Sequence, residues 1–82
     1  MSEDDGDAIA AIVDAIRHYF SRYPTAADSV DGIQRWWLPP PLDEEPLFLV
    51  ELAIDRLVEE GVVRRFVLED GGVIYRSNAR QE

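Results

Sequence analysis

The chain has no cysteine, no lysine, one histidine and no long apolar run. Without cysteine there is no disulfide framework and no thiolate metal site. No stretch approaches the roughly 20 apolar residues that a membrane-crossing helix needs. The start, Met1-Ser-Glu-Asp-Asp, is acidic. A secretory signal begins with basic residues and runs into an apolar stretch, so a cytoplasmic location is the expectation. The lone histidine, His18, has Asp14 one helical turn before it. That spacing predicts a surface His–Asp pair, because a metal site needs more converging ligands. There is no glycine-rich phosphate loop, and Ser2, Ser21, Ser29 and Ser77 stand in no nucleophile-elbow context. No catalytic, cofactor-binding or metal-binding residue is assigned, and the chain is read as not an enzyme and as needing no cofactor.

Seventeen acidic residues stand against eight basic ones, all arginine, for a net charge of −9. Such a surface is repelled by phosphate backbones and anionic membranes. The 82 residues suit one domain with a folding margin of a few kcal/mol. They are too few to enclose a typical substrate cleft.

The sequence divides into an acidic leader (1–7), expected to fray, a folded body (8–78) and a polar tail (79–82). Ile9, Ile12, Val13, Ile16, Phe20 and Tyr23 recur at helical spacing, which predicts a first helix over 8–23 that Pro24 ends. Asp28 is the expected N-cap of a short second helix carrying Val30, Ile33, Trp36 and Trp37. Gly32 inside it suggests a close helix–helix approach, and Leu38-Pro-Pro-Pro-Leu42 stiffens the link that follows. Asp43 is the expected N-cap of a third helix running to Glu60, with Gly61 at C′. Val62–Glu69 and Val73–Arg76 read as strands joined by the turn Asp70-Gly71-Gly72.

This predicts an α+β fold: three helices and then a two-stranded hairpin. The phrase from Ala53 to Arg65, with Leu57, Gly61, Val62 and Val63 at its key places, and the hairpin ending in Ile74-Tyr75-Arg76, resemble the winged helix-turn-helix superfamily over Ala8–Asn78. The resemblance implies a winged helix, with the third helix in the recognition position and the hairpin as wing. Winged helices read DNA or dock on proteins, so the fold alone does not select a function.

The third helix bears on that choice. Leu47, Val50, Ile54, Leu57 and Val58 form a stripe expected to face the core. The opposite face carries Phe48, Leu52 and a row of carboxylates at Glu51, Asp55 and Glu59. Carboxylates in the major groove would face a dense line of phosphates, so this face disfavours DNA. An acidic rim around exposed Phe and Leu suits protein docking. Two arrangements of Phe48, Leu49 and Leu52 stay open: exposed, or covered by the second helix or the proline link. Trp37 is expected in the core, in register with Val30 and Ile33, and Trp36 is the candidate partner contact.

The reading is therefore a protein-binding module using Trp36, Phe48, Glu51, Leu52, Asp55 and Glu59, with a protein partner and self-association as a further candidate. The alternative is a DNA-binding regulator whose wing arginines, Arg64, Arg65 and Arg76, with Arg80, contact phosphate. Those arginines are otherwise expected to pair with the chain's own carboxylates, Glu69 and Asp70 among them. A third reading is an acidic DNA mimic, for which the carboxylate row is short.

Overall fold

A computed structural model describes residues 3–78. Met1, Ser2, the tail 79–82 and with it Arg80 lie outside the described residues.

Apolar residues every third or fourth position wind the start of the chain into α1 (Glu3–Arg22). It begins at Glu3, ahead of the apolar spacing, so Asp4, Asp5 and Asp7 place carboxylates near the positive end of its dipole. Its buried line is Ile9, Ile12, Val13, Ile16 and Phe20. Tyr23, expected to extend that line, is 49% exposed, because the helix stops at Arg22 before Pro24.

The chain then forms β1 (Ala27–Asp28), a strand the sequence reading missed. The second helix starts as α2 (Val30–Gly32) and continues as a wider π-helical turn, Ile33–Trp37. Its N-cap is Ser29, not Asp28: the Ser29 Oγ accepts from the Gly32 N–H at 3.2 Å. Asp28 is held in β1, and its Oδ1 accepts from the Ser29 N–H at 2.8 Å. Gly32 is small because the Asp28 carboxylate occupies the space of a Cβ there, not because a helix approaches.

Asp43 does not cap the third helix. It lies in a 3-10 turn, Leu42–Glu44, which ends where Glu45 turns extended before Pro46. Helix α3 is Leu47–Glu59, with Pro46 at its N-cap. At its other end Gly61 has φ +79°, the left-handed C′ conformation expected of it. Hairpin strands β2 (Val63–Val67) and β3 (Val73–Ser77) follow. The Gly71 N–H donates to the Leu68 carbonyl and the Leu68 N–H to the Gly72 carbonyl, closing a turn in which Gly71 has φ +91°.

The hairpin is thus part of a three-stranded antiparallel sheet, in the order β1-β3-β2, rather than a free two-stranded hairpin. Asp28 pairs with Tyr75, and Arg65 pairs with the same Tyr75 from the other side. The architecture is α+β, three helices against one small sheet. Its radius of gyration is 12.3 Å, near the roughly 12 Å of a compact chain this long. Ile12, Ile16, Ile33, Ile54 and Leu57 make the centre of the core, with Trp37 closing one side and Val63 and Tyr75 the sheet side. No helix is long and apolar enough to cross a membrane, among the described residues.

Candidate functional site

Helix α3 packs on α1, α2 and β2 at once, and this wrapping sets which of its faces is left over. Its buried set is Leu49, Val50, Ala53, Ile54 and Leu57. The core stripe is rotated from the expected one: Leu49 is buried, whereas Leu47 in the first turn is 39% exposed. The neighbours on the Leu49–Ala53 side supply that burial, and Leu47 lies at the helix end, past the edge of the core.

The rotation leaves an outward sector about 100° wide, given a turn of about 100° per residue. Phe48 (53% exposed), Leu52 (36%), Glu51, Asp55 and Glu59 share it. Neither the π-helical turn nor the proline link covers Phe48 and Leu52. No hydrogen bond or ion pair joins the Glu51, Asp55 or Glu59 side chain to a neighbour, among the described residues. The helix's ion pairing is elsewhere. Glu60 accepts from Arg17 of α1 at 2.7 Å and from Arg56 at 3.3 Å, fastening the end of α3 to α1.

Trp36 and Trp37 diverge as adjacent helical residues must. Trp37 is 7% exposed, stacked on Tyr19 and edge-on to Phe20. Trp36 is 74% exposed on the π-helical turn. An indole this exposed contributes little to the core, and π-turns inside helices recur at functional positions.

The outer face of the sheet is the second distinctive surface. Strand alternation puts Val63 and Tyr75 on the core side and Arg64, Phe66, Ile74 and Arg76 on the outer side. Arg64 and Arg76 are direct cross-strand partners. Both guanidiniums lie over the Phe66 ring, 5.2 Å and 5.6 Å from its centroid. The expected pairing with Glu69 and Asp70 does not form. Arg64, Arg65 and Arg76 enter no ion pair among the described residues. The Asp70 carboxylate instead accepts from the Gly72 N–H inside the turn, which takes it away from the strands. Arg65 shares the inner face by alternation but sits on the outermost strand, where it reaches solvent.

A shallow groove of about 420 Å³ lies along α1, lined by Ala11, Ala15, Tyr19, Trp37 and Pro39 with Asp14, His18 and Arg22 at its polar positions. His18 and Asp14 are both exposed there, and no hydrogen bond joins them among the described residues. No cluster of three or more metal-ligating side chains occurs among the described residues. No family model, no curated protein and no solved structure matches the chain.

Proposed function

We propose that this chain is a non-catalytic winged-helix module that docks on another protein through the outward face of α3. The element order supports the fold reading: helix, short strand, helix, helix, hairpin, with the short strand paired to the last one. The observation that carries the functional reading is the joint exposure of Phe48 and Leu52 within a frame of three carboxylates on one helix face. Apolar side chains at the centre of a contact gain from losing water, and charges at its rim choose the partner. That partner carries basic groups around an apolar cleft. Trp36 is a second anchor, since exposed tryptophans are concentrated among residues that dominate binding energy. The non-catalytic part of the reading rests on the sequence, which offers no nucleophile context, phosphate loop or metal motif.

The test is capture of partners from native extract on the immobilised chain, beside Phe48→Ala and Leu52→Glu. The expected result is a partner held by the parent chain and lost by both variants, with their circular dichroism unchanged. If the same partner binds both variants as it binds the parent, α3 is not the docking face.

One observation favours a second reading. The exposed arginines Arg64, Arg65 and Arg76 enter no ion pair among the described residues, as phosphate-contacting wing residues would. Duplex DNA binding that falls steeply with salt and weakens in Arg64→Ala and Arg65→Ala supports that reading. No mobility shift at low salt removes it. The DNA-mimic reading has less support, because the carboxylate row on α3 is three residues long.

A further inference from the structure

We infer that the outer face of the sheet is a receptor for acidic helices, and that its occupant is α3 of a second copy of this chain. The inference rests on the reading of α3 as a docking face and supplies one partner for it.

The first support is an unresolved charge conflict. Arg64 and Arg76 are directly opposite each other on neighbouring strands. Like charges in that relation repel. The chain has seventeen carboxylates with which to relieve the conflict, yet none pairs with either arginine among the described residues. Both guanidiniums lie over the Phe66 ring, and both arginines are exposed. Two guanidiniums gathered at one ring make a ready receptor for carboxylates, because an arginine fork binds a carboxylate through paired N–H bonds.

Spacing selects the occupant. The Asn78 N–H donates to the Val62 carbonyl and the Leu68 N–H to the Gly72 carbonyl, which makes Arg64–Arg76 a hydrogen-bonded pair of the ladder. The Cα atoms of such a pair are about 5.5 Å apart. Carboxylates one turn apart on a helix rise by about 6 Å. Glu51 and Asp55 have that spacing, with the exposed Phe48 and Leu52 beside them to meet Phe66 and Ile74.

Within one chain the two surfaces are not joined by any ion pair among the described residues, which leaves both open to a second copy. The contact is head to tail, one copy's helix on the next copy's sheet, and a contact of that type adds copies until it closes into a ring. Two other occupants fit the face less well. DNA would bring a continuous line of phosphates to a chain of net charge −9. Edge-to-edge pairing of β2 with another β2 would set arginines against arginines.

Sedimentation velocity of the full chain tests the proposal, at about 0.15 M salt, where screening over about 8 Å damps the net repulsion but not contact pairs. The parent chain is expected to gain mean mass as concentration rises. Arg64→Glu with Arg76→Glu, and separately Glu51→Arg with Asp55→Arg, each lower the association constant about tenfold or more. An equimolar mixture of the two double variants regains association in alternating order, because the acidic helix of one meets the basic sheet of the other and the reversed helix and reversed sheet complement each other at the next contact. Recovery in the mixture also proves that both variants fold. A monomeric parent chain at every concentration, variants that associate like the parent, or a mixture that stays monomeric overturns the inference. DNA binding by the parent chain that disappears in the Arg64→Glu, Arg76→Glu variant also overturns it and gives the sheet face to nucleic acid. Loss of an external partner in Phe48→Ala without any self-association overturns this inference and leaves the α3 docking reading standing.

Discussion

Tyr19 and Trp37 stack face to face, with ring centroids 4.5 Å apart and planes 6° from parallel. The contact joins the last turn of α1 to the end of the π-helical turn, and Phe20 meets the same indole edge-on at 5.1 Å. Aromatic pairs in these geometries add about 0.5–1.5 kcal/mol beyond the area they bury. Adjacent tryptophans should therefore differ sharply in their effect on folding. Trp37→Ala is expected to cost about 3–5 kcal/mol, enough to unfold much of so small a domain. Trp36→Ala should stay within about 0.5 kcal/mol of the parent chain. Chemical denaturation followed by circular dichroism reads both; equal losses would place the two indoles in one core.

Gly32 and Asp28 should be coupled. The Asp28 carboxylate occupies the position of a Cβ on Gly32, while its Oδ1 accepts from the Ser29 N–H. Gly32→Ala alone must displace that carboxylate and break its hydrogen bond, worth about 0.5–1.5 kcal/mol. The helix gain of alanine over glycine, up to about 1 kcal/mol, is then cancelled or outweighed. In an Asp28→Ala background the same substitution meets no carboxylate and should stabilise. A double-mutant cycle in denaturant measures the difference, and additivity would mean that the carboxylate is not in the way.

What the sequence made legible follows from how local each signal is. The apolar spacing of Ile9, Ile12, Val13 and Ile16 marks a helix face by itself, and Gly61 marks a stop because its φ of +79° suits glycine. The strand β1 had no such signal. Its two residues are extended only because Asp28 finds Tyr75 far along the chain. The same non-locality hid the rotation of α3: whether Leu47 or Leu49 is buried depends on the neighbours on the Leu49–Ala53 side, which no window of residues encodes. At the candidate site, the exposed row of Glu51, Asp55 and Glu59 was readable from helical period. The pairing of Arg64 with Arg76 over Phe66 needed the hairpin register, and proximity to Glu69 and Asp70 in sequence suggested the wrong partners.

Gly61 should be intolerant of a side chain for a backbone reason alone. A Cβ there meets no atom within 4 Å, so space is available. The conformation is the obstacle: the left-handed region costs an L-residue about 1–2 kcal/mol. The turn it makes also lets the Val62 N–H reach the Leu57 carbonyl at 2.9 Å and the Asn78 Nδ2 reach the Gly61 carbonyl at 2.9 Å. Gly61→Ala should destabilise by that amount, and Gly61→Asn by less, because asparagine tolerates this region better. Equal stability of the glycine and alanine forms in thermal denaturation would contradict the strain.

The facing arginines give the last prediction, and its sign carries the argument. Each of Arg64 and Arg76 contributes its own stacking on Phe66, and the two share one repulsion. Removing either arginine relieves the whole repulsion, so removing the second relieves nothing more. The Arg64→Gln, Arg76→Gln double variant should therefore be less stable than the sum of the singles indicates, by about 0.2–1 kcal/mol. Added salt should shrink this coupling, because screening weakens a repulsion between exposed charges. A coupling of opposite sign would mean that the two side chains support each other through Phe66. The charge conflict would then be absent, and with it the reason for the sheet to seek carboxylates from another chain. A repulsive coupling is the signature of residues held in place at a cost to folding. Such a cost fits a surface shaped for recognition.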